Sequence, residues 1–214
     1  MFNHTNVIDL THTITNGMPV YPGTSAPRIA QSSTVSQNGF AEKELTLCSH
    51  VGTHMDAPAH IINNAETLDA LPTATFIGSA CLLDVSSASA ISLDILKKHE
   101  RTIAQCDFVI FASGHEKYWG TETYFSPFPV LDKEAATWLT TQKLKGVGID
   151  AISFDTMDAS ELFIHTILLS HGLVLIENLT NLASITESMF TFAALPLKIH
   201  ESDGAPVRAI AILP

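Results

Sequence analysis

The chain has 214 residues, of which 46% are hydrophobic and 15% charged, with a formal net charge of −11. With no cluster of Lys or Arg, nucleic acid is excluded as a partner, and a charged fraction well under the typical ~25% points to apolar surface buried between the subunits of an oligomer. The first residues lack the apolar stretch of a signal peptide, and the most apolar run, 162–176, is interrupted by His165 and His171 and too short to span a bilayer, so the expectation is a cytoplasmic protein with no membrane partner.

Taken in chain order, Val7–Leu10 reads as a short strand and 16–23, with two Pro and two Gly, as a structured loop. Arg28–Ser36 and Glu42–Ser49 read as extended, the second with Leu45 and Leu47 on an apolar odd-numbered face. Ala80–Val85 is a buried-strand candidate. Ser92–Glu100 suits a helix, with Ser at its start and Lys, Lys and His near its end. Asp107–Ala112 is an apolar strand, and Asp132 can cap a helix through Gln142 with Ala135, Ala136 and Leu139 as its core stripe. Gly146–Ile149 is a strand, Glu161–His171 a helix stopped by Gly172, and Val174–Ile176 a strand that delivers Glu177. Phe190–Ile199 and Val207–Leu213 close the chain as strands. No linker or repeat divides the sequence, so residues 1–214 are expected to form one domain. Strands outnumber helices, which predicts an α/β layer architecture, a mixed sheet with packed helices. Cys48, Cys81 and Cys106 lack metal or disulfide spacing and read as free thiols.

The most informative window is 49–60, Ser-His-Val-Gly-Thr-His-Met-Asp-Ala-Pro-Ala-His, which holds three of the ten histidines. His50, His54, Asp56 and His60 all fall at even positions, which share one face of an extended chain. Pro58 disfavours a helix through the window, and Gly52 would let the backbone pass close by. Imidazoles and a carboxylate converging on one point suit a divalent cation such as zinc. Three protein ligands plus water make an open, catalytic site and four make a closed, structural one, so the role of His60 decides between them. Elsewhere, Glu177 follows an apolar strand, where a charge is costly unless paired or bound to metal. His165 lies among apolar helix residues and is expected to be buried. Each is also compatible with an ordinary core hydrogen bond. His165 and His171 lie roughly 120° apart around a helix and should not serve one site.

The run from His50 to His60 resembles the H-x-G-T-H-x-D-x-P-x-H signature of the metal-dependent cyclase family, which includes bacterial kynurenine formamidases. Asp9-Leu-Thr, Pro19-Val-Tyr-Pro-Gly, the segment from Gly148 to Asp155, Leu195-Pro-Leu-Lys198 and the segment from Ala205 to Ala209 resemble further family segments. The resemblance implies a swivelling β/β/α domain, assembled as a homodimer or homotetramer, and a site for two divalent metal ions, zinc foremost and manganese as the other candidate. His50, His54 and Asp56 would hold one ion, Asp56 would bridge to a second held by His165 and Glu177, and His60 would be the catalytic acid/base. The implied activity is hydrolysis of a small-molecule amide, with arylformamidase action on N-formyl-L-kynurenine foremost. Tyr21 stands where kynurenine formamidases carry Trp against the substrate, so opening of isatin or another cyclic amide or lactone is the alternative. A structural metal site in an oligomeric scaffold is the non-enzymatic one. Tyr21, Trp119 and Phe40 are candidates for an aromatic substrate pocket, and His115 is given no role.

Overall fold

The computed structural model describes residues 6–214. Among the described residues, ten strands and five α-helices follow one another: β1 (Val7–Asp9), β2 (Arg28–Ser33), α1 (Val35–Asn38), β3 (Glu42–Thr46), β4 (His54–Asp56), β5 (Ile77–Asp84), α2 (Leu93–Lys98), α3 (Glu100–Ile103), β6 (Phe108–Ala112), α4 (Lys133–Thr140), β7 (Gly146–Ile149), α5 (Phe163–Leu169), β8 (Val174–Glu177), β9 (Met189–Pro196) and β10 (Gly204–Ile212). Eight strands form one mixed sheet in the order β1-β10-β4-β8-β7-β6-β5-β9. The β5–β6, β6–β7 and β7–β8 pairs are parallel and the others antiparallel. A further β9–β10 pairing closes the sheet on itself like a barrel.

This closure explains the near-continuous apolar strands. In β6, Val109 and Phe111 face a layer formed with Leu96, Ile103, Ala135, Leu139 and Leu168 of the helices. Phe108 and Ile110 alternate to the other side and pack with Met55, Ile176, Phe192 and Ala209 inside the closed sheet. Both faces of the parallel strands are therefore covered, as such strands require. Asp132 caps α4 as expected, its Oδ1 accepting from the Ala135 amide at 2.7 Å.

Three expectations are corrected. The helix predicted over Glu161–His171 is shorter, because Leu162 has non-helical backbone angles and Ser170 forms the C-cap before Gly172 turns left-handed. The extended segments expected over 28–36 and 42–49 stop earlier, at Ser33 and Thr46, and stand apart from the main sheet: β2 and β3 form a separate two-stranded hairpin with α1 at its turn. Every residue of β3 is exposed, Leu45 included, because the hairpin pairs with itself rather than with the main sheet. Nor is 49–60 one extended run. Only His54–Asp56 is strand; Gly52 adopts φ +66° before it, and Pro58–His60 form a 3₁₀ turn after it. No helix among the described residues is long and apolar enough to cross a membrane.

Candidate metal centre

The short strand β4 lies between β8 and β10, and its register builds the site. His54 stands opposite Glu177 on β8, and Asp56 stands opposite Gly204 on β10. His54 and Asp56 share a face by period-two alternation, and cross-strand pairing adds Glu177 to it. A turn through left-handed Gly52 brings His50 back beside Asp56, with Nδ1 2.7 Å from Oδ1. Helix α5 supplies His165, whose Nε2 lies 3.1 Å from Glu177 Oε1 and 3.8 Å from Asp56 Oδ2.

These five residues form two triads that share Asp56. His50, His54 and Asp56 can offer ligand atoms within 4.8 Å of one another, and so can Asp56, His165 and Glu177. His54, Asp56, His165 and Glu177 are all buried. The free nitrogens are set by neighbours. His54 Nδ1 lies 2.8 Å from the Gly52 carbonyl, which can only accept, so Nδ1 carries the proton and Nε2 faces Asp56 and Glu177 at 3.4 and 3.5 Å. His165 Nδ1 lies 2.7 Å from Asp155, which likewise turns Nε2 into the site.

Asp56 Oδ2 is buried and has no hydrogen-bond partner. A buried carboxylate oxygen left this way is costly, and a cation between the two triads would satisfy it. The donor set, imidazole nitrogen with carboxylate oxygen, fits zinc or a similar divalent ion.

The electrostatics of the site run in the same direction. Burial opposes charge on His50, but the hydrogen bonds and charges of Asp56 and Asp203 outweigh it and raise its pKa to about 9. Burial likewise opposes charge on His165, yet Asp155, Glu177 and Asp56 push it up to about 10. Asp56 is held far below the usual carboxylate range: burial would raise it, but the His50 hydrogen bond and the surrounding histidines prevail. Protonated imidazoles thus supply the positive charge that the clustered carboxylates favour.

His60 sits on the 3₁₀ turn, half-buried, with its ring 4.0 Å from that of His50 and 6.1 Å from that of His165. It is absent from both triads but joins His50 and Asp203 in a third cluster. Tyr21 lines the cavity over the site, with Pro19, Val20, Ile152, Leu162 and the metal-capable residues around a volume of about 240 Å³. Trp119 and Phe40 do not line it. Trp119 stacks on His12, ring centroids 3.8 Å apart, and Phe40 is exposed on the hairpin. His115 is buried with Nε2 on the Tyr124 carbonyl, and His171 is exposed in the turn that follows α5.

Sequence reasoning missed three residues. Asp203 lies 2.9 Å from His50 Nε2 and 3.5 Å from His60 Nδ1. Asp155 holds His165 and also accepts from the Ile164 and His165 amides at the start of α5. Asn178 donates to the Gly52 carbonyl and accepts from the Tyr124 hydroxyl, tying β8 to the turn that carries His50 and His54. A buried helical histidine needs an acceptor, and that requirement was the available signal for Asp155; for Asp203 the signal was an acidic residue immediately before Gly204.

A family profile described as "Putative cyclase" matches residues 8–156. Among curated proteins, the kynurenine formamidase of Bacillus cytotoxicus is 30% identical over 204 residues, covering 95% of each chain. Among solved structures, isatin hydrolase A from Ralstonia solanacearum superposes with a TM-score of 0.87 at 23% identity, over 97% of this chain and 92% of that one. A potential metal-dependent hydrolase with cyclase activity superposes with a TM-score of 0.80 at 27% identity, over 96% of each chain. The α/β architecture and the mixed sheet are thus those of these proteins.

Proposed function

We propose that this chain, which belongs to the putative cyclase family, is a metal-dependent amide hydrolase, working as one catalytic domain on N-formyl-L-kynurenine or a close aryl formamide. The observation that carries the reading is the orphaned Asp56 Oδ2, buried between two triads of imidazole and carboxylate. A relative named kynurenine formamidase, 30% identical over nearly the whole length, supports the substrate class. His50, His54 and Asp56 would hold one divalent ion, and Asp56, His165 and Glu177 a second, zinc foremost with manganese as the alternative. When bound, the metal supplies a Lewis acid that makes hydroxide available near neutral pH and polarises a carbonyl.

The chain's own residues do the rest. Asp155 and the Gly52 carbonyl fix the tautomers of His165 and His54. His60, outside both triads, is the imidazole free to take a proton from water and pass it to the leaving amine. Tyr21, Ile152 and Leu162 offer an apolar wall for an aromatic ring. Exposed Val35, Phe40 and Leu45 on the β2–β3 hairpin, together with the low charged fraction, support a homodimer or higher homo-oligomer. Three free thiols suit a reducing cytoplasm.

A second reading has its own support. Neither Lys nor Arg is among the residues lining the cavity, so the wall offers no cation to the amino-acid carboxylate of formylkynurenine. A neutral cyclic amide such as isatin would need none. Turnover of N-formylkynurenine, isatin and formanilide, each with zinc and with manganese, separates the two. Removal of metal with EDTA should abolish hydrolysis and readdition restore it. His60→Ala should keep its metal and lose roughly 10²–10⁴-fold in kcat. Wild-type turnover with full metal content after His54→Ala would sink the proposal.

A further inference from the structure

We propose that Asp203 is a positioning residue that holds two imidazoles of the site at once, fixing His50 for the metal and His60 for proton transfer. The His60 half rests on the hydrolase reading above; the His50 half does not.

Asp203 is placed by the same sheet that builds the triads. Its carbonyl accepts from the Ala57 amide at 2.8 Å, directly after β4. Gly204, which follows it, is paired with Asp56 across the β10–β4 ladder. On the other side, the Ser202 carbonyl accepts from Leu68 at 2.9 Å. A Cβ at position 204 would lie 2.5 Å from His50 Cε1, so the His50 ring rests on a bare α-carbon. The segment 202–204 is therefore both a support for the ring and a pinned mount for the carboxylate.

The hydrogen-bond pattern gives this carboxylate a purpose. A neutral imidazole has one donor nitrogen and one acceptor nitrogen. Asp203 Oδ2 lies 2.9 Å from His50 Nε2 and accepts its proton, so a metal that replaced the proton shared by Nδ1 and Asp56 Oδ1 at 2.7 Å would find the Nδ1 lone pair free for it. That is the side a metal shared with Asp56 must occupy. Without Asp203 the other tautomer, which points an N–H at the metal position, and a flipped ring, which points a C–H there, both become available. The same Oδ2 atom lies 3.5 Å from His60 Nδ1. It selects Nε2 as the free nitrogen of His60 and places a negative charge beside the ring when that ring carries a proton. The carboxylate is 44% exposed, so its contribution to the fold itself is small.

The test compares Asp203→Ala and Asp203→Asn with the wild type, alone and combined with His60→Ala. Zinc affinity is measured by chelator competition on metal-free protein, and kcat and KM on the zinc-loaded enzyme with the best amide of the panel. Asp203→Ala is expected to weaken zinc binding roughly 10- to 100-fold and to lower kcat with KM little changed. Asp203→Asn, which can still accept one N–H, should recover part of the zinc affinity. The double variant Asp203→Ala/His60→Ala should be no slower than His60→Ala alone, because both changes act through one group. Unchanged zinc affinity in Asp203→Ala overturns the His50 half. Independent, multiplicative losses in the double variant overturn the His60 half. If the wild-type enzyme turns over no amide, the hydrolase reading and the His60 half fall together, while the zinc titration still decides the His50 half.

Discussion

Removing the Asp155 carboxylate tests how the second triad is held. Asp155 is buried and accepts three hydrogen bonds: from the Ile164 amide at 3.0 Å, the His165 amide at 3.1 Å and the His165 side chain at 2.7 Å. The first two cap the opening turn of α5, whose nominal N-cap, Leu162, has no side-chain acceptor to offer. Each lost cap costs about 1 kcal/mol, and the buried charge-assisted bond to the imidazole about 1.5–3 kcal/mol. Asp155→Ala should therefore destabilise the metal-free protein by roughly 3–5 kcal/mol, which for a chain of this size lowers Tm by about 10 °C. In parallel, His165 loses the partner that directs Nε2 at Glu177 and Asp56, so a metal held by Asp56, His165 and Glu177 should lose roughly 10- to 100-fold in affinity. Asp155→Asn keeps one acceptor oxygen but sets an NH₂ against a donor, and should fall between. Thermal melting with EDTA reads the first effect and metal titration the second. An Asp155→Ala protein that melts within about 2 °C of wild type, well under the shift expected, and binds two metals normally would refute the assignment.

Two further outcomes follow from the same geometry. Gly204→Ala would put a methyl 2.5 Å from His50 Cε1, so the ring must swing away; zinc affinity should fall at least about 10-fold while β10 pairing and far-ultraviolet circular dichroism stay unchanged. In the metal-free protein, His50 and His165 have pKa values raised to about 9 and about 10, above an unfolded value of about 6.5. Their stabilisation is complete below that unfolded value and is lost as pH rises through the folded ones. His12, which burial lowers to about 4, works oppositely: its share is lost as pH falls from about 6.5 toward 4. Tm with EDTA should thus decline between neutral pH and about pH 10, and zinc binding should release protons at neutral pH and tighten as pH rises. Calorimetry in buffers of differing ionisation enthalpy measures that release; no proton release would contradict the two raised values.

The elements with strong local signals were legible in the sequence. Apolar runs gave β6, β7 and β8 within a residue or two, and Asp132 with its Ala135, Ala136 and Leu139 stripe gave α4. The two hairpin strands were read as extended, but their exposure was not legible, because Leu45 and Leu47 alternate with polar residues as a buried strand would. Alternation reports that one face is apolar, not what covers it, and within the described chain nothing covers Leu45. The closing of the sheet was also invisible, since it depends on β10 pairing with β4 along one stretch and β9 along the next, a matter of long-range register.

The site divides along the same physical line. Parity correctly put His54 and Asp56 on one face, because both lie on a real strand, but it reached His50 and His60 through a shape the chain does not adopt. Glu177 stood out because a charge ending an apolar strand demands a partner. That its cross-strand neighbour is His54 follows from the antiparallel β4–β8 register alone, and no local pattern encodes that register. Asp155 and Asp203 were hidden for a further reason. Each acts by holding an imidazole that another element delivers, across 10 positions for His165 and 153 for His50. The residues that could bind metal therefore announce themselves by type and burial cost, whereas those that aim them are ordinary carboxylates until the fold supplies the histidine. This is why the testable content of the structure lies in Asp155 and Asp203 rather than in the signature itself.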